Sequence, residues 1–231
     1  ISFEGGMSRL PEALYDAHSE QVHLSTPVET VREGGDGYRI RAGGEEWTVE
    51  DVVTTAPAGA TAAVFAEEFP DAAERLDSLS YNPLVMVYLE AEADVEGFGF
   101  QVHREEPFRT RGVTFVDSLF GRENLYTAFL GGMSDPGVMD ESDETLEATA
   151  ESEFEEILGA SAEAVGINRL RAYPAYDHSW SALDGLELPG GIHLATNYTA
   201  RLGVPSRIRE AKRLAGELAG ETDDREREIG R

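Results

Sequence analysis

The stretch GGIHLATNYTARLGVPSRIREAKRLAG, residues 190–216, decides how the rest of the chain is read. A short apolar run of Ile192, Leu194 and Ala195 enters a loop of small and polar residues. The loop passes Asn197, Tyr198 and Gly203 to reach Val204-Pro205. Beyond it Ile208, Ala211, Leu214, Ala215 and Leu218 recur on one helical stripe, so a helix is expected from Pro205 or Ser206 onward. A strand that feeds a helix through a glycine-containing loop presents free backbone N–H groups and the positive end of the helix dipole. Such a construction holds anionic or electron-accepting ligands.

Charge bounds the setting. The 231 residues carry 45 acidic and 19 basic side chains, a net charge of −26, and Lys212 is the sole lysine. Self-repulsion of this size opposes a compact chain at low salt. At about 1 M salt the screening length falls to roughly 3 Å. The acidic residues are spread along the whole chain, which reads as a halophilic, solvated surface rather than a docking patch for a basic partner. Nucleic acid is excluded as a partner, because its backbone requires clustered positive charge. There is no cysteine, which removes disulfides, thiolate metal sites and cysteine nucleophiles together and fits a cytoplasmic protein. No run approaches the ~20 apolar residues of a membrane-spanning helix. Peripheral contact with a membrane is left open and would need an exposed apolar patch. The chain starts at Ile1 without a signal segment, so either the N-terminus has been removed or the numbering begins inside a longer protein.

Outward from the opening stretch, a helix is expected over Ser8–Ser19 with Leu10, Leu14 and Ala17 inward. Strands follow at Val22–Ser25, Val28–Glu33, Tyr38–Arg41, Glu46–Val49 and Val52–Thr55. Gly34-Gly35-Asp36-Gly37 and Gly43-Gly44 supply the turns of a half-solvated meander. Helices are expected at Gly59–Glu68 and Asp71–Ser78. Then come strands at Leu84–Leu89, Phe98–Val102, Gly112–Val116 and Leu125–Leu130, a helix at Asp143–Leu158, and a strand at Ile167–Tyr173. Residues 1–78 and 189–220 read as one interleaved unit, and 79–188 as an inserted, mainly antiparallel α+β unit. The charged tail 221–231 reads as disordered.

Five histidines show no metal-ligand spacing, and no metal site is expected. Tyr176-Asp177-His178-Ser179 places hydroxyl, carboxylate and imidazole side by side. Neighbours in sequence rarely face one another, so a hydrogen-bonded loop is the better reading than a triad. The sequence has no G-x-S-x-G elbow and no phosphate-cradling P-loop. Gly97-Phe98-Gly99-Phe100 lacks the further glycine of a dinucleotide fingerprint. Of Tyr81, Met86, Tyr88, Phe98, Phe100, Phe115, Phe120 and Phe129, most are expected in a core and the remainder in an apolar ligand pocket.

These pieces together resemble a family. Gly5-Gly6-Met7-Ser8-Arg9-Leu10-Pro11-Glu12-Ala13-Leu14 resembles the glycine-glycine-methionine segment of FAD-dependent amine-oxidase-like flavoproteins. Thr26-Pro27-Val28 and Val52-Val53-Thr54-Thr55-Ala56-Pro57 resemble that superfamily's second FAD-contacting stretch. The segments 97–102 and 112–116, with Asn197-Tyr198 and Gly203-Val204-Pro205, look most like its protoporphyrinogen oxidase branch. The resemblance runs in order along the chain up to Gly220. It implies an α/β plus α+β fold: an incomplete FAD-binding domain of the amine-oxidase/glutathione-reductase type (1–78 and 189–220) with an inserted substrate domain (79–188).

Site roles follow from the same resemblance. Val28 would touch the adenine end of FAD through its backbone, and Ala56 would lie near the flavin. Leu202, Gly203 and Val204 would pass the isoalloxazine ring, with Asn197 and Tyr198 in the same cofactor-binding segment. The strand–G-x-G-x-x-G–helix that holds the FAD pyrophosphate in this fold has no counterpart in these residues. Thr196 and Arg201 stand where the family's C-terminal motif carries glycines. The chain is therefore expected to be the C-terminal two thirds of a flavin-dependent oxidase, to bind FAD weakly or not at all alone, and to be inactive alone. The complete enzyme would take a hydrophobic, porphyrinogen-like substrate and pass hydride to FAD. No acid–base residue is nominated. A related FAD-dependent desaturase or amine oxidase and a cofactor-less scaffold are the alternatives. The position of Lys212 on the C-terminal helix argues against the amine oxidase.

Overall fold

A computed structural model describes residues 3–175, 177–199 and 203–220. Two units emerge. One combines Ile1–Ala17 with Tyr81–Ala175, the other His18–Ser80 with Tyr176–Arg231.

The first unit is built on a five-stranded antiparallel sheet. Its strands are β5 (Tyr81–Ala91), β6 (Gly99–Gln101), β7 (Thr110–Phe115), β8 (Leu125–Gly131) and β9 (Ala162–Pro174), in the order β6-β7-β8-β5-β9. Alternation along β5 sends Val85, Val87 and Leu89 to one face, where they are fully buried. Helix α5 (Asp143–Leu158) covers that face with Leu146, Ala150 and Phe154. Tyr126 stacks edge-on against both Phe115 and Phe154. The ends of α5 are set locally: the Ser142 hydroxyl accepts the Thr145 N–H at 3.3 Å, and Gly159 closes the helix at φ 72°.

The mouth of the core is tied by Arg109. Its guanidinium bonds Asp135 at 2.8 Å and Glu141 at 2.6 Å, while Glu153 accepts the backbone N–H groups of Arg109 and Thr110. The hydrogen bond from Arg109, with its charge, holds the Glu141 carboxyl below its usual value.

Helix α1 (Arg9–His18) forms as the sequence predicts, but it buries no residue, and Leu14 is 57% exposed. The expected inward face of Leu10, Leu14 and Ala17 is thus corrected: amphipathic spacing sets a stripe, and only a neighbour buries it. Short helix α4 (Val116–Phe120), ended by Gly121 at φ 62°, was not anticipated.

The second unit begins with an antiparallel meander of β1 (Val28–Gly34), β2 (Gly37–Ala42) and β3 (Glu45–Val49). Gly35, Gly43 and Gly44 all have positive φ, as the two turns require. The expected strand at Val22–Ser25 does not form. Ser25 adopts φ 55°, and the segment turns before Pro27. Helices α2 (Ala58–Phe65) and α3 (Pro70–Asp77) pack through Phe65, Phe69 and Leu76, and Tyr38 meets the edge of Phe69. The unit ends in α6 (Val204–Leu218), which buries only Leu214; Ile208 and Leu218 are exposed.

The unit borders differ from the sequence reading in two places. Residues 1–17 group with the antiparallel sheet, where Phe3–Gly6 share a cavity with Leu119, Phe120 and Arg122. Residues from 177 group with the meander unit. The Ser80 N–H bonds Ser179 Oγ at 2.9 Å, and Arg75 reaches the Ala182 carbonyl at 3.4 Å, so this short 3-10 helix (His178–Gly185) is fastened to α3.

Candidate functional site

Two three-residue strands position the candidate site. β4 (Val52–Thr54) and β10 (Ile192–Leu194) pair in parallel, with Val52 opposite Ile192 and Thr54 opposite Leu194. The ladder extends at both ends through Val52 N–H to the Gly191 carbonyl at 2.8 Å and Ala195 N–H to the Thr54 carbonyl at 3.0 Å. Because the strands run the same way, Thr55-Ala56 and Thr196-Asn197 leave the pair at one end, side by side. The crevice beyond the carboxyl ends of parallel strands is where open α/β sheets take ligands.

Each exit is fixed by buried hydroxyls. Thr61, 2% exposed in the first turn of α2, lies 3.0 Å from Thr54 Oγ1 and 3.5 Å from the Ala56 carbonyl. On the other side Thr196, also 2% exposed, donates its N–H to Thr199 Oγ1 at 2.9 Å, and its hydroxyl accepts the Tyr198 N–H at 3.3 Å. Neither threonine set was nominated from the sequence, because side-chain–backbone turns of this kind leave no periodic signal.

Of the nominated residues, Val28 and Ala56 line one cavity of about 340 Å³, with Val31, Thr54, Thr61 and Phe65 among its walls. Tyr198 is buried and lines a second, more open cavity of about 460 Å³ with Asp177, His178, Trp180 and Thr199. Asn197 lies between Thr196 and Tyr198 at the exit of β10. Gly203 and Val204 open α6, where Gly203 has φ 114° and no side chain caps the helix. These residues line neither cavity. Leu202 lies outside the described residues, as does Arg201. The Asp177-His178-Ser179 stretch forms a turn: Asp177 accepts the Ser179 N–H at 2.9 Å as well as its hydroxyl, and those bonds lower the carboxyl's pKa. Among the described residues no three histidine or carboxylate side chains gather to hold a metal. Nor is any helix among them long and apolar enough to cross a membrane.

The first unit offers a different surface. The sheet face opposite α5 carries Leu84, Met86 and Tyr88 from β5 and Phe129 from β8, all half-buried. In register, Met86 sits between Phe129 and Asn168, and Tyr88 between Thr127 and Gly166. Phe115 belongs to the core and Phe100 packs against it, whereas Phe98 and Phe120 are 80% and 50% exposed. These aromatics therefore divide into core, open sheet face and exposed positions in the loop before β6 and at the end of α4.

Comparison with known proteins places this arrangement. Residues 1–219 match the family model described as flavin containing amine oxidoreductase. Protoporphyrinogen oxidase 2 (chloroplastic/mitochondrial) of Arabidopsis thaliana is 26% identical over 248 residues, covering 90% of this chain and 48% of its own length. Protoporphyrinogen oxidase 1 of Spinacia oleracea is 25% identical over 195 residues, covering 75% of this chain and 35% of its own length. The chain thus spans about half, or less, of the curated relatives it matches. In fold it is similar to an Exiguobacterium sp. 255-15 protein provisionally named as a protoporphyrinogen oxidase (TM-score 0.79, 22% identity, 96% of this chain and 52% of that one). It is also similar to a putrescine oxidase bound to putrescine (TM-score 0.72, 16% identity, 94% of this chain and 53% of that one). The family is a flavin-containing one. The chain belongs to the flavin-containing amine oxidoreductase family.

Proposed function

We propose that this chain supplies the ring-side wall of an FAD site and the substrate surface of a longer oxidoreductase that oxidises a porphyrinogen-like compound. The observation that carries the reading is the shared exit of β4 and β10, from which Thr55-Ala56 and Thr196-Asn197 leave at the same end. Val28 would meet the adenine end through its backbone. Ala56, Asn197, Tyr198, Leu202, Gly203 and Val204 would border the rest. The uncapped N-terminus of α6 would favour negative charge at the ring's pyrimidine edge. When bound, the flavin supplies the hydride acceptor. The protein's share is to seat a large apolar substrate and exclude water, and the open face with Leu84, Met86, Tyr88 and Phe129 suits that task. Residues 79–188 would then be largely the substrate domain. The acidic surface adapts the protein to concentrated salt.

Full-length protein purified in concentrated KCl is expected to show visible flavin absorbance and to turn over a porphyrinogen in preference to an amine or a carotenoid. A colourless full-length protein sinks the reading. Turnover of amines alone moves it to the amine oxidase branch.

A further inference from the structure

The turn after β10 is fastened to α6 by one carboxylate. Glu210, in the second turn of α6, has a side chain only 9% exposed. One of its oxygens accepts the Thr199 hydroxyl at 2.7 Å. The other lies 2.7 Å from Nη1 of Arg207, one helical turn earlier, whose side chain is 26% exposed. Thr199 is also the residue on which the Thr196 N–H closes its turn, at 2.9 Å. One acidic group therefore joins Thr196–Thr199 to the first turns of the helix. In a chain carrying 45 acidic residues, most of them exposed, a nearly buried carboxylate with two partners has a specific local task.

We propose that Glu210 is a positioning residue. By clamping Thr199 and Arg207 it fixes the Thr196–Thr199 turn against the first turns of α6, and thereby the fit of the flavin against that turn. The role rests on the function proposed above. The chemistry is that of a charge-assisted hydrogen bond, which is shorter and stronger than a neutral one. Replacing Glu210 by alanine removes both links and also leaves Arg207 without its counter-charge. Thr199→Val keeps the Glu210–Arg207 pair but removes both the hydroxyl that reaches Glu210 and the acceptor of the Thr196 N–H, and Thr199→Ser restores the hydroxyl.

The test uses full-length protein in concentrated KCl, with two readouts: amide hydrogen exchange over residues 195–199, and the flavin's visible spectrum with its FAD dissociation constant. Glu210→Ala and Thr199→Val are expected to speed exchange at Thr196 and Tyr198 about tenfold, the scale of one lost hydrogen bond to a charged group. Exchange in β5 and β8 should stay unchanged. The same two variants should weaken FAD binding and shift its spectrum, and Thr199→Ser should restore both. Unchanged exchange at Thr196 and Tyr198, or an equal rise throughout the protein, overturns the clamp. Faster local exchange with wild-type spectrum and affinity overturns the positioning role. If even the wild type binds no flavin, the proposed function fails and the positioning role fails with it, while the exchange rates still decide whether the clamp exists.

Discussion

The two units solve the problem of burying a sheet in opposite ways. The antiparallel sheet covers one face with α5 around a continuous core from Val85 to Phe154, and leaves the other face half-solvated. Antiparallel sheets tolerate that asymmetry. The parallel pair β4–β10 has three residues per strand. Val53 on it is 40% exposed, and α6 contributes a single buried residue, Leu214. Parallel strands are ordinarily covered on both faces, so the candidate ligand end lies on a thinly covered strand pair. Regions with few buried contacts open first, and binding loops are drawn from them.

Salt should separate the units most widely. With a net charge of −26, transfer from concentrated KCl to dilute buffer is expected to unfold the meander unit before the antiparallel unit. Amide exchange along a salt series would read this as loss of protection in β1–β4 and α6 ahead of β5 and β8. Simultaneous loss would erase the contrast.

Within the antiparallel unit, Leu130 is fully buried, and Leu130→Ala is expected to cost about 2–5 kcal/mol. Chemical denaturation in constant salt measures it. A cost below about 1 kcal/mol would mean the core there is looser than its burial implies.

Arg109→Met is expected to have a smaller effect, one that depends on pH. Glu141 is held below its ordinary value of 4.5 by Arg109, so its share of stability is present above that value and is lost as pH falls through the lowered one. The difference between wild type and Arg109→Met should therefore shrink as pH drops below 4.5. A difference constant with pH would assign Arg109 to packing alone.

The smallest expected change is in the meander unit. Tyr38 donates its hydroxyl to the Gly190 carbonyl at 2.6 Å, linking the meander to the approach to β10. Burial, followed by the Glu33 and Asp51 charges, raises its phenol above the ordinary tyrosine value. Tyr38→Phe should cost about 1 kcal/mol, read as a lowered thermal midpoint.

Much of the local structure was legible in the chain. Helix α5 spans Asp143–Leu158 as expected, because its cap and its closing glycine are written within a few residues of its ends. The meander follows its glycine turns, and all the strands expected from Leu84 onward form. The family, too, was carried by short segments in fixed order, and the match over residues 1–219 bears it out. Burial was less legible. Leu14 and Ile208 lie on regular apolar stripes and stay exposed, since periodicity states which residues share a face and not what meets it. Strand β9 runs from Ala162, five residues ahead of its expected start, because pairing with β5 recruits residues of modest strand preference.

The candidate site divides along the same line. Glycine placement, the strand–loop–helix order and the absence of cysteine chemistry are properties of the sequence by itself, because turn geometry and ligand chemistry are set by residue type and near neighbours. The parallel pairing of Val52–Thr54 with Ile192–Leu194 joins segments some 140 residues apart. The Tyr38–Gly190 bond spans 152 residues, whereas the Thr199–Glu210 link closes over eleven. Only the tertiary structure decides those pairings, since a hydrogen bond between distant residues depends on how the intervening chain is packed and not on any spacing within it.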